Sequence, residues 1–233
     1  MVAKSAKRSP KKKDSKERNW TQIGMVIFGV LFAFLMVASY GIPAMSAFRS
    51  VDPGDSVLVE YTILDNDGKP VITTSQKVME NTLKQGDLAF LTNPLSLTGG
   101  ANASSYVEGV PVALGEGQGK FALLSPEMEA MNDGVVGMHE RKTKRVSISD
   151  LPIIQTFDAE STGKLGMNFS RIQVGDRFPI QMTIADEPTI FTDPNSSISY
   201  LRLGTVTEKN NDNMTVNFDY AYADVTVMQI TKI

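Results

Sequence analysis

The sequence predicts an α+β protein, and three observations lead there. Residues 19–48 form a charge-free run long enough for one apolar helix. After Arg49 come β-branched and apolar stretches punctuated by Asn, Asp and Gly turns. Among those strands stands one clear short-helix signature, residues 125–132. One short helix among many strands points to an antiparallel α+β domain.

The apolar run is the first element. Roughly 20 helical residues, at about 1.5 Å each, cross a hydrocarbon core about 30 Å thick. Residues 23–40 nearly supply them, Pro43 ends the run, and Trp20 and Tyr40 stand where interfacial aromatics concentrate. Residues 20–45 are therefore expected as a transmembrane helix and residues 1–19 as a basic cytoplasmic tail. The first 18 residues carry eight Lys/Arg against Asp14 and Glu17, a balance of +6, whereas the rest carries −9 within the overall −3. Positive flanks stay inside. The expectation is a single-pass cell-membrane protein, N-terminus cytoplasmic and C-terminal domain extracytoplasmic. The competing reading, a cleaved signal peptide, has a core of only about 7–15 apolar residues. A basic tail without interleaved aromatics, beside a membrane span, meets anionic lipid rather than nucleic acid.

In the outer part, residues 57–64 (VLVEYTIL) make a strand by composition, closing on Asp65-Asn66-Asp67-Gly68, a turn whose residues tolerate left-handed φ/ψ. Residues 76–109 read as a long insertion, with a short helix around 77–84 and a flexible loop from Gly99 to Ser105. Pro111 places residues 110–114 at a sheet edge or strand start, and Gly115, Gly117 and Gly119 then turn the chain. Ser125 is the expected N-cap of the short helix, with Pro126 at its first position, Glu127 and Glu129 in its first turn and Gly134 as its stop. Further strands are expected at residues 142–149, 177–184, 200–208, 214–219 and 226–232, with 209–213 as a hairpin.

Composition excludes several chemistries. With no cysteine there is no disulfide framework and no Cys-based metal site or nucleophile. His139 is the only histidine, too few for a His-based metal centre, and no serine triad assembles around it. Gly115-x-Gly117-x-Gly119 lacks the Lys-Ser/Thr pair of a phosphate loop, and Asp65-Asn66-Asp67-Gly68 lacks the closing Glu of a calcium loop. No metal and no cofactor is expected. Asn-x-Ser/Thr sequons at Asn102, Asn168, Asn195 and Asn213 give weak support to a glycosylated exterior face.

The succession Gly54-Asp55, Val57-Leu58-Val59-Glu60-Tyr61-Thr62, Asp67-Gly68-Lys69, Leu114-Gly115-Glu116-Gly117-Gln118, Met131-Asn132-Asp133-Gly134-Val135-Val136-Gly137-Met138 and Lys144-Arg145-Val146-Ser147-Ile148 resembles, in order, the FKBP-type peptidyl-prolyl isomerases. Its most specific piece is the short helix ending in Gly137-Met138 before a basic strand. About 70 residues then intervene before the last strand, which resembles the SlyD-like branch, where a chaperone domain replaces a flap. The resemblance covers roughly residues 53–233, with a gap at 76–109. It implies an FKBP-like domain of residues 50–150 and 219–233, an antiparallel sheet wrapped on the short helix, interrupted by an inserted β-rich flap or chaperone-like domain at 151–218.

Prolyl isomerisation crosses a barrier of roughly 18–20 kcal/mol set by amide resonance, and an apolar groove with a few donors favours the twisted imide. Carried over by resemblance, Tyr61 and Met131 take the catalytic positions, Tyr61 as the first-strand tyrosine and Met131 as the groove floor. Met128 takes the neighbouring apolar position, Val110 and Val227 the wall, and Ile154 the flap. The family's Phe-Asp pair falls at Val71-Ile72, so the carboxylate is missing. Two functions remain open on this reading. One is a membrane-anchored isomerase and/or folding chaperone for translocated, unfolded or proline-containing polypeptides; the other is an inactive FKBP-like binding module with a membrane or cell-envelope protein partner.

Overall fold

Ser56–Asp65 (β1) sends Val57, Val59, Tyr61 and Ile63 into the core while Leu58 and Glu60, at the alternate positions, meet solvent. The computed structural model describes residues 20–46, 49–114, 117–149, 152–184 and 198–233. Two compact units result, Met1–Met45 and Ser46–Ile233.

The described residues of the first unit, 20–45, belong to helix α1, Trp20–Ser46. Residues 23–37 all present exposed side chains. Among the described residues no helix is long and apolar enough to cross a membrane. The expected transmembrane helix at 20–45 is corrected accordingly. The basic tail expected at 1–19 lies outside the described residues.

In the second unit β1 is followed by β2 (Pro70–Thr73), α2 (Gln76–Lys84), β3 (Phe90–Leu91), β4 (Leu95–Thr98), β5 (Val107–Leu114), β6 (Gly117–Leu124), α3 (Ser125–Val135), β7 (Thr143–Ser147), β8 (Ile154–Asp158), α4 (Ala159–Lys164), β9 (Arg177–Ile184), β10 (Ile198–Lys209), β11 (Asn213–Asn217) and β12 (Tyr220–Thr231). One sheet has the order β3-β2-β1-β12-β7, with β4 also on β1; the other has β5-β6-β10-β11-β8, with β9 on β10.

The expected fold class is corrected here as well. The unit is mostly β, and its sheets are mixed: β2 and β3 pair in parallel through Ile72 and Phe90, as do β6 and β10 through Leu201 and Phe121. Nor does segment 151–218 keep its strands to itself, because the β5–β6 hairpin joins the sheet of β8 to β11. The segment does hold a small core of its own, with Phe178, Ile180, Val206, Met214, Val216 and Phe218 buried together. The larger core lies between the two sheets and α3 and includes Val57, Val59, Ile63, Phe121, Leu123 and Val225.

Local chemistry explains the connections. Asp65 Oδ1 accepts from the amides of Asp67 at 3.0 Å and Lys69 at 2.8 Å, closing the β1–β2 turn on Gly68 at φ 76°. Ser75 caps α2 by accepting from the Val78 amide. Residues 76–109, read as an insertion with a short helix around 77–84, hold that helix as α2 and, beyond the reading, β3, β4 and the start of β5. Pro111 sits on β5, an edge strand, where its missing N–H costs no ladder bond. Ser125 is not the N-cap of α3: it is the first helical residue, and its hydroxyl donates to the Ser105 carbonyl at 3.1 Å. Gly134 does not stop α3. It is buried within the helix, where a Cβ would come within 2.5 Å of Val146 on β7, so its role is close packing.

Candidate functional site

Six of the eight residues aligned with an isomerase groove, Tyr61, Val71, Ile72, Val110, Met131 and Val227, lie together in the main core, none more than 3 % exposed. The structure therefore brings them together but closes them off. The Tyr61 hydroxyl ends beside Thr92 without reaching a hydrogen bond, and burial pushes its pKa up to about 12 despite Thr92. Thr92 Oγ1 itself donates to the Pro111 carbonyl at 2.8 Å. Met128 packs half-buried against the core and opens into a cavity of about 280 Å³ beside the 101–105 loop. Ile154 stands apart: it begins β8 in the other sheet, is 56 % exposed and pairs with Asn217.

Near the N-terminus of α3 a shallow hollow of about 130 Å³ is lined by Tyr106, Leu124, Pro126, Ile148 and Ile153, with Glu127 and Asp219 as its polar members. Ligand pockets run to about 300–1,000 Å³, so this hollow has room for a single side chain. Beneath it Arg202 is fully buried. Its Nη2 meets Glu127 Oε1 at 2.5 Å, Nη1 donates to Glu127 Oε2 and the Ala122 carbonyl, and Nε donates to the Phe218 carbonyl at 2.9 Å. The guanidinium lies 4.4 Å from the centre of the Tyr220 ring, whose hydroxyl both accepts from and donates to the Leu203 backbone. Burial raises the Tyr220 pKa. Sequence reasoning missed this network because its ion-pair partners are 75 positions apart.

A larger opening, about 450 Å³, lies between the α2–β3 turn (Gly86, Asp87, Leu88) and the segment from Met167 to Phe178. Its walls are held from several sides. Lys69 pairs with Asp87 at 3.0 Å. Lys209 Nζ, reaching from β10, donates to the carbonyls of Phe169 at 2.7 Å and Ile172 at 2.6 Å, fixing the short 3₁₀ turn Phe169–Arg171. Asp176 Oδ2 accepts from the Gln173 amide at 2.8 Å. Arg177 lines the cleft with its side chain 3 % exposed. Its Nη2 donates to the Pro70 carbonyl at 2.9 Å and its Nε faces Asp65 Oδ2 at 3.5 Å, yet Nε and Nη1 make no hydrogen bond. Both atoms are enclosed by protein, so they are unsatisfied donors inside the wall, and the surface that Leu88, Ile172 and Phe178 contribute to the cleft is apolar.

No protein-family model matches the chain, and no curated protein matches it.

Proposed function

We propose that the chain is a polypeptide-binding module on an FKBP-like frame, one that holds unfolded or extended segments without appreciable prolyl-isomerase turnover. The observation that carries this reading is the burial of Tyr61, Val110, Met131 and Val227 in a continuous core. Twisting an imide needs an open apolar groove with donors aimed into it, and a closed one lowers no barrier. What supports polypeptide holding instead is the open cleft of about 450 Å³ beside residues 167–178, with Leu88, Met167, Ile172 and Phe178 among its lining residues. The FKBP-like frame itself rests on the ordered motifs of the sequence.

The test is a prolyl-isomerisation assay on the full chain with a proline tetrapeptide, run beside light scattering from a reduced, aggregating client. Isomerisation is expected to stay at its spontaneous timescale of tens to hundreds of seconds while aggregation is suppressed. Catalysis that disappears in Tyr61→Ala would overturn the noncatalytic reading and place turnover at the first-strand tyrosine.

A further inference from the structure

We propose that the hollow at the N-terminus of α3 takes one lysine side chain of a polypeptide partner, its ammonium meeting Asp219 and its methylene stem lying on Leu124, Pro126 and Ile153. This rests on the polypeptide-binding reading and adds to it a second site, apart from the open cleft. The starting point is an unbalanced count of buried charge. Two carboxylates line the hollow, Glu127 at 3 % exposed and Asp219 at 9 %, and the guanidinium beneath them is that of Arg202. Glu127 spends both of its oxygens on Arg202. Asp219 receives only a hydroxyl, that of Ser149, which donates to its Oδ2 at 2.6 Å. Among the described residues no hydrogen bond reaches Asp219 Oδ1, and that oxygen is not sealed from solvent, on a residue that lines the hollow.

Charge and shape decide the occupant. A largely buried carboxylate beside a second one, with a single cation between them, favours another cation. An acidic side chain would add repulsion, and an apolar one would strip the remaining water from Asp219 without replacing its hydrogen bonds. The walls are aliphatic, from Leu124, Pro126, Ile148 and Ile153, and the Tyr106 ring, 72 % exposed, stands at the rim. Apolar walls around an acid suit a side chain with a methylene stem and a charged tip, and a ring close by adds attraction for the cation. The hollow, about 130 Å³, admits one such side chain. Lysine ends in a compact ammonium that meets a single carboxylate oxygen, whereas the planar fork of arginine is made for both oxygens at once, and here Ser149 already holds Oδ2.

The probes are short capped peptides, Gly-Ser-X-Ser-Gly, with lysine, norleucine or glutamate at X. Isoleucine-methyl NMR of the full chain reads the site. With the lysine peptide the Ile153 methyl is expected to shift saturably, while the buried methyls of Ile63 and Ile72 stay in place and certify the fold. Asp219→Asn keeps an acceptor for Ser149 and removes the charge, and is expected to weaken lysine binding about tenfold, the worth of a hydrogen bond to a charged group. Tyr106→Ala removes only an exposed ring and is expected to weaken it about threefold. Norleucine bound as tightly as lysine, or glutamate bound more tightly, would overturn the charge assignment. Lysine binding unchanged in both variants, or a silent Ile153 methyl, would remove the site. An unfolded, uncharged client that binds where the lysine peptide does not would sink this site and leave the holding function standing. If neither binds, the holding function itself falls, and this site with it.

Discussion

Arg202 shows how much of this protein rests on single side chains. Its guanidinium is enclosed by Glu127, two carbonyls and the Tyr220 ring. Removing one partner of a buried pair costs about 3–5 kcal/mol, because the survivor stays buried and charged, whereas replacing both by apolar residues is often near neutral. Glu127→Ala is therefore expected to lower stability by about 3–5 kcal/mol in urea unfolding, and the double variant Glu127→Leu with Arg202→Met to recover most of it. Nothing in the local sequence marks Arg202 as inward-facing, since YLRLGTV reads as a strand with polar residues outward. Tyr61, by contrast, was legible as a strand residue from its β-branched neighbours, and the resemblance supplied its place near the helix. Its closure against the core was not legible, because that depends on β12 and β5, both far away in the chain.

At the scale of elements, most strands were visible in composition, and the ones that escaped had a physical reason to do so. Strand β6 begins Gly-Gln-Gly-Lys, and glycines without side chains to pack imitate a turn. Strand β12 was expected from residue 226 but starts at Tyr220, because Ala221, Ala223 and Asp224 dilute the β-branched signal. Two element-scale predictions follow from packing and from charge. At Gly204 of β10 a Cβ would lie 2.5 Å from both Phe218 and Val216, so Gly204→Ala is expected to cost about 1–3 kcal/mol by overpacking, read as a fall in the urea midpoint at constant m. The end of β12 is tied down by Lys232, whose Nζ donates to the Ser50 carbonyl, to Asp52 at 2.6 Å and to Asp55 at 2.7 Å. The Lys232 hydrogen bond holds the Asp55 carboxyl below the usual carboxylate range, and Asp52 and Asp55 raise the Lys232 ammonium. The depressed acid stabilises above its unfolded pKa of about 3.9 and loses that contribution as pH falls through its folded value; the raised amine stabilises below about 10.4 and loses it as pH rises. Lys232→Met is thus expected to be less stable than the parent near pH 7, with the gap closing at acid pH below about 4 and again at strongly alkaline pH. Thermal unfolding across pH measures it, and a gap independent of pH would exclude the clamp.

Across the whole molecule, the two-sheet arrangement changes what the segment 151–218 means. The resemblance suggested an insertion that sits apart, yet β10 pairs with β6 and carries Arg202 to Glu127. Replacing residues 151–218 with a short loop is therefore expected to strip cover from Phe121 and Leu123 and leave Glu127 buried without its cation. The variant should lose its cooperative unfolding transition and bind hydrophobic dye. A deletion variant that unfolds as sharply as the parent would show the sheets to be independent. The same coupling places the open cleft at the meeting of the α2–β3 turn and the segment, so the proposed holding of a client would draw on residues next to those that keep the fold.

The central claim is the proposal that this unit holds extended polypeptide chain in an open cleft, while the residues aligned with an isomerase groove are packed into its core. Titration calorimetry of the full chain with a permanently unfolded, uncharged client segment tests it most directly. The account predicts saturable binding with a negative heat-capacity change, the mark of apolar surface leaving water. Absence of heat and of saturation at any client concentration, from a chain that unfolds cooperatively, would contradict it.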